Sequence, residues 1–122
     1  MTTDKLIYEA IGVCFEVYNV LGPGLLESVY EKALVQELKL RGLHVASQIP
    51  VAIMYKGGTV GDDLRLDIIV EDSLIIELKS VDALAPVHFK QVRTYMKLLE
   101  KPVGLLVNFD VSDFKQGYKV IK

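Results

Sequence analysis

The sequence predicts one α/β domain of the α+β type: two helices, a three-strand meander, a third helix and a fourth strand, in that order. Three features predict it. Apolar residues recur at helical spacing up to residue 41, the pattern changes to short strand-like runs between 44 and 79, and a second helical stretch at 86–99 leads into an unbroken apolar run at 103–109. A chain of 122 residues suits a single domain, and a hydrophobic fraction of 51% supplies a core that needs neither disulfide nor structural metal.

Each element carries its own signal. Leu6, Ile7, Ala10, Cys14, Val17 and Leu21 set a helix over 3–20, with Thr2 or Thr3 as its cap. Gly22-Pro23-Gly24 breaks it, since proline offers no amide hydrogen and glycine permits a sharp turn. Leu26, Val29, Tyr30, Ala33, Leu34 and Leu38 predict a second helix over 25–41, and Gly42 stands where a helix end favours glycine. Residues 44–55 read as a strand, with Pro50 marking an edge or bulge, and Lys56-Gly57-Gly58 as a hairpin turn. Two further strands, 64–70 and 74–79, are joined by the polar Glu71-Asp72-Ser73. Pro86 opens the third helix, Pro102 stops it, and 103–109 reads as a buried strand. From Val111 the tail reads as a short helix or turn with a last strand near 118–121.

Composition excludes several classes. No window reaches the roughly 18 uninterrupted apolar residues of a membrane span. The opening MTTDKLIYEA carries Asp4 and Glu9 within its apolar stretch and does not read as a signal peptide. Cys14 is the one cysteine, sits among apolar helix positions with no basic neighbour, and reads as a buried inert thiol. These points predict a cytoplasmic setting. A net charge of −2 and the lack of a Lys/Arg cluster in the linear sequence argue mildly against a nucleic-acid binder, although acids that ligate a cation would leave the remaining balance near neutral.

Charged residues stand where a sheet should be apolar. Alternation places Leu64, Leu66, Ile68 and Val70 on one face of their strand and Arg65, Asp67 and Ile69 on the other; in the next strand Ile75, Glu77 and Lys79 share a face. Asp67 and Glu77 lie ten positions apart across a short turn, so both reach the same end of a hairpin. One reading is an ordinary solvated sheet face with Glu77 and Lys79 as a surface pair. Against it, Ile69 and Ile75 share the charged face, and two close carboxylates repel unless a cation or proton intervenes. The other reading is a Mg²⁺ or Mn²⁺ site: Asp67, Glu77 and the backbone carbonyl of Leu78 offer hard oxygen ligands, and Lys79 orients or deprotonates an attacking water.

Asp67 followed by Glu77-Leu78-Lys79 resembles the D…(D/E)-X-K signature of the PD-(D/E)XK nuclease superfamily, with Leu66 in place of the proline that names the motif. Gly24-Leu25-Leu26-Glu27-Ser28-Val29-Tyr30 is similar to the Gly-x-x-Glu-x-x-Tyr pattern of the small GxxExxY proteins within that superfamily. The resemblance extends over nearly the whole chain and implies a restriction-endonuclease-like core, a mixed central sheet flanked by helices. It further implies that Glu27, on the stripe with Tyr30, Leu34 and Leu38, is an additional metal ligand; the bland alternative is favourable interaction with its own helix N-terminus. Gln91-Val92-Arg93-Thr94-Tyr95 looks like the Gln-x-x-x-Tyr element of the exonuclease branch, so His88, Gln91 and Tyr95, on one helical face, join Arg65 as candidate substrate contacts; the bland alternatives are a helix-start or surface histidine at 88 and a tyrosine at 95 that only packs. His44 has no partner in the sequence and reads as structural.

The function implied is a metal-dependent phosphodiesterase acting on DNA, with Asp67, Glu77, Lys79, Glu27 and Gln91 as its catalytic set. A homodimer paired through the apolar first helix is a further expectation. Two other classes stay open on the sequence: a non-catalytic nucleic-acid- or protein-binding module that keeps the fold, and a purely structural partner subunit.

Overall fold

The computed structural model describes residues Met1 to Lys122. Helix α1 spans Thr3–Leu21 and α2 Glu27–Leu40; strands β1 (Val45–Tyr55), β2 (Gly58–Val70) and β3 (Leu74–Lys79) follow, then α3 (Pro86–Leu99), β4 (Val103–Asn108), a 3₁₀ turn at Phe114–Gln116 and β5 (Tyr118–Ile121). The five strands lie in the order β1-β2-β3-β4-β5. Only β3 and β4 are parallel, with α3 as the crossover between them; the other neighbours are antiparallel.

Two cores sandwich the sheet. On one face Leu6, Ala10, Cys14 and Val17 of α1 and Tyr30, Leu34 and Leu38 of α2 pack on Ile68, Ile76, Leu78 and Val107. On the other, Val92 and Tyr95 of α3 pack on Leu66, Ile69, Ile75 and Leu106. β3 and β4 are covered on both sides, which is why LIIELK and VGLLVN lack the alternation of a half-exposed strand. Gly104 is a fitted position: a Cβ there would lie 2.5 Å from Val92 Cγ1, so its absence lets α3 approach the sheet. Burial pushes the Cys14 thiol up to about 12, in keeping with an inert core cysteine.

Helix α2 starts at Glu27, two residues later than its apolar spacing predicts. The Tyr30 hydroxyl explains the difference. It accepts from the Leu25 N–H at 3.1 Å and donates to the Gly22 carbonyl at 2.6 Å, while the Ser80 hydroxyl donates to the Leu25 carbonyl at 3.0 Å. These bonds hold Leu25 and Leu26 out of the helix. The Tyr30 ring is fully buried and stacked on Phe109 at 4.3 Å. The spacing from Gly24 to Glu27 to Tyr30 thus has a mechanical meaning. Gly24, at φ +98°, turns the chain; Tyr30 latches that turn to the core; Glu27 is left as the first helical residue beside the end of β3.

Strand β2 begins at Gly58, six residues before the predicted start. Gly61, Asp62 and Asp63 are poor strand formers, but their pairing is dictated by the far half of β1 across the tight turn at Lys56 and Gly57, both at positive φ. Strand β1 is one of the two outer strands of the sheet, in keeping with Pro50.

Tyr30→Phe is expected to lower the free energy of unfolding by about 1–2 kcal/mol through the lost latch, and Gly104→Ala by about 1–3 kcal/mol through overpacking against Val92. Urea denaturation followed by circular dichroism checks both; a Tyr30→Phe variant as stable as wild type would show that the latch contributes nothing.

Candidate functional site

Strands β2 and β3 pair through Val70–Leu74, Ile69–Ile75 and Ile68–Ile76, and then part. At the next rung side chains take over from the ladder. The Asp67 N–H donates to Glu77 Oε1 at 3.1 Å, and the Leu78 N–H donates to Asp67 Oδ2 at 2.8 Å. Each carboxylate satisfies a backbone amide that the opened ladder leaves free. Glu77 is 2% exposed, and its other oxygen lies 3.8 Å from the Lys79 ammonium. In an extended strand the N–H and C=O of one residue point the same way, so the Leu78 carbonyl faces the same gap as its amide.

The opening coincides with a reversal of faces. Leu64 and Leu66 pack on the α3 side with Ile69, whereas Ile68 and Val70 pack on the α1/α2 side. In β1, Val45 packs with the α1/α2 core, and Ile49 and Val51 with the α3 core. Regular alternation would keep residues two apart on one side. The expectation that Leu64, Leu66, Ile68 and Val70 share a face is therefore corrected: both strands twist over at the level of Asp67, which frees its side chain to stand between the two layers.

Around this pair the structure gathers further acids. Glu27 lies within electrostatic range of Asp67, Lys79 and His88. It is exposed at the start of α2, unlike buried Tyr30, Leu34 and Leu38, which corrects its expected place on the inward stripe. Glu31, one turn further on, accepts from the Gln48 amide at 2.6 Å and lies against the Asp67 carboxyl. Neither Glu31 nor Gln48 belongs to the acid and lysine motif of the sequence. Glu31 was legible in principle, because it shares a helix face with Glu27; a glutamine in an edge strand carries no such sign.

The third helix faces the same gap. The Tyr95 hydroxyl donates to the Arg65 carbonyl at 2.9 Å, with Gln91 beside it and Glu77 and Asp67 within electrostatic range. The Arg65 side chain itself is exposed. His88 caps its own helix, Nδ1 accepting from the Ala85 N–H at 2.9 Å. Buried Asn108 shapes the loop beyond Lys79 by bonding both the N–H and the carbonyl of Val81. On the outer face of α3, Lys90, Arg93 and Lys97 are exposed, none has a carboxylate within ion-pair distance, and the helix contains no acid. Folding thus assembles a short basic stripe where the linear sequence shows no cluster.

The carboxyl groups are raised together. Burial, then the Asp67 carboxylate, pushes Glu77 up to about 8, against the opposing pull of the Asp67 N–H and Lys79. Burial likewise raises Asp67, with the Leu78 N–H and Lys79 opposing, and raises Glu27 and Glu31, with Lys79 opposing at the first and the Gln48 amide at the second. No three acidic or imidazole side chains close around one point as a preformed cage. Two hard carboxylates, a carbonyl edge and local electrostatic pressure nevertheless suit an ion such as Mg²⁺, which keeps most of its waters.

A mixed sheet flanked by helices, with an acid, an acid and a lysine where a β-hairpin opens, defines an α+β domain built around a carboxylate–ammonium centre. A family model described as the PD-(D/E)XK nuclease superfamily matches residues 4–121, and the chain belongs to that superfamily. Its fold is the restriction-endonuclease-like one, and membership points to a nuclease. Comparison with curated proteins and with solved structures finds no match. No helix is long and apolar enough to cross a membrane.

The raised carboxyl groups set the pH dependence of the metal-free protein. A Glu77 held near 8, above its ordinary 4.5, favours the fold while protonated. Its contribution is complete below about pH 4.5 and is lost as pH rises through about 8. The melting temperature is expected to fall across that interval, and Glu77→Gln to flatten the profile. A wild-type curve that rises from pH 5 to 8 would contradict the burial and crowding assigned to these carboxyls.

Proposed function

We propose that this chain is a metal-dependent nuclease, hydrolysing phosphodiester bonds of DNA at the Asp67, Glu77 and Lys79 centre, and that it is a cytoplasmic member of the GxxExxY group. One observation carries the reading. In a sheet otherwise filled by Ile, Leu and Val, the ladder opens at the rung where two carboxylates and an ammonium meet. A purely structural hairpin would gain more from an apolar pair there, because buried acids oppose ionisation.

Asp67 and Glu77 would hold a divalent ion, Mg²⁺ or Mn²⁺, with the Leu78 carbonyl offering a third oxygen and Glu27 supporting from the start of α2. The ion supplies Lewis-acid stabilisation of charge at the scissile phosphate and lowers the pKa of the attacking water. Lys79, held by the second oxygen of Glu77, orients that water. Gln91 steadies the phosphate from α3, where Tyr95 fixes the helix to β2 through the Arg65 carbonyl. Arg65 and His88 lie at the margin and are substrate contacts in this reading. The Lys90, Arg93 and Lys97 stripe gives a phosphate backbone a favourable surface on a protein of net negative charge.

Purified protein is expected to cut DNA in Mg²⁺ or Mn²⁺ and not in chelator, and Lys79→Ala or Asp67→Ala to lose roughly a hundredfold or more in rate. Cutting that survives both substitutions places the activity elsewhere. Calorimetric titration is expected to show Mn²⁺ uptake that Asp67→Asn abolishes; DNA binding without metal uptake would favour the non-catalytic module. Replacing Lys90, Arg93 and Lys97 by Gln is expected to reduce the slope of log affinity against log salt by about 2–3.

A further inference from the structure

We propose that Gln48 is a positioning residue for Asp67, bracing its carboxylate through Glu31. Five residues other than glycine adopt positive φ: Lys56, Glu71 and Asp72 lie in hairpin turns, Glu100 ends α3, and Gln48, at +52°, stands alone inside a paired strand. A left-handed glutamine in a strand is strained, and such strain persists only where surrounding structure holds it. Gln48 falls between the Ser47–Ile68 and Ile49–Leu66 pairs, directly opposite Asp67. Both strands reverse their faces at this level, so the kink in β1 and the release of Asp67 from the ladder are two sides of one distortion.

The side chain supplies the hold. The Gln48 amide donates to Glu31 Oε1 at 2.6 Å, and Glu31 in turn flanks the Asp67 carboxyl, with the Gln48 amide close by. Asp67 is thereby fixed from behind while its Oδ2 receives the Leu78 N–H in front. β1 is an outer strand, so the left-handed turn disrupts no further ladder. The brace crosses from β1 to α2, and neither of its members belongs to the acid and lysine motif.

The bond from the Leu78 N–H to Asp67 Oδ2 reports the position of the carboxylate without any metal. Amide hydrogen exchange on the metal-free full chain is expected to show Leu78 exchanging about tenfold faster or more in Gln48→Gly, with Ile76, deeper in the ladder, unchanged. Glycine tolerates the left-handed φ, so this variant is expected to melt no lower than wild type. The reversed pair, Gln48→Glu with Glu31→Gln, is expected to restore slow exchange, whereas each single change does not. Unchanged exchange at Leu78 in Gln48→Gly, or equal acceleration at Leu78 and Ile76, overturns the proposal.

The consequence for the ion rests on the nuclease reading: Gln48→Gly is expected to weaken Mn²⁺ binding by roughly tenfold, as loss of outer-sphere support does. Wild-type protein that takes up no Mn²⁺ would defeat the nuclease reading alone, since the exchange at Leu78 still decides the brace.

Discussion

The structure turns on one electrostatic constraint: two carboxylates held at an opened rung of an apolar sheet, with a single ammonium close by. Neither acid is incidental to the backbone. Each accepts the amide that the missing ladder bond leaves, so the chain cannot close the rung without leaving an amide unsatisfied, nor ionise both acids freely without mutual repulsion. Burial first, and the neighbouring Asp67 carboxylate second, raise the Glu77 carboxyl above its ordinary range. A cation bound there would ease the repulsion between the two acids, which ties the proposed chemistry to the same interaction that shapes the hairpin.

The rest of the fold delivers groups to that rung. The Tyr30 latch and the Ser80 hydroxyl seat the turn before α2 against the end of β3, which places Glu27 and Glu31 above the carboxylates. From the opposite layer, Tyr95 pins α3 to β2 and sets Gln91 beside the gap. Asn108, paired in register with Lys79 across the parallel strands, holds the loop that follows. Three layers therefore meet near one rung: Asp67 lies against Glu31 of α2, and Tyr95 of α3 bonds the neighbouring Arg65 carbonyl.

The twist of β1 and β2 at the level of Asp67 also explains why the site is sparing in its residues. A regular strand would point Asp67 to one side and exclude the other layer. The reversal brings α2 and α3 to the same level of the sheet, at the cost of a strained Gln48 and broken pairing on both sides of Asp67. The distortion sits on an outer strand, where a kink breaks the fewest ladder bonds.

Local chemistry was enough to specify the element order, the β3 and α3 boundaries, the start of β4, the hairpin turns and the acid-acid-lysine motif. Proline and glycine punctuation, helical spacing and apolar runs act over a few residues and need no partner to be recognised. Partners decided the remainder. The early start of β2 depends on its pairing with β1, and the late start of α2 on a tyrosine hydroxyl five residues beyond Leu25. The exposure of Glu27, the face reversal at Asp67 and the recruitment of Glu31 and Gln48 depend on contacts among residues of α2, β1 and β2 that lie beyond the reach of local spacing patterns. Alternation presumes an unbroken pleat; a left-handed kink held by side chains from another layer reverses the faces, and only the assembled fold contains the forces that hold it.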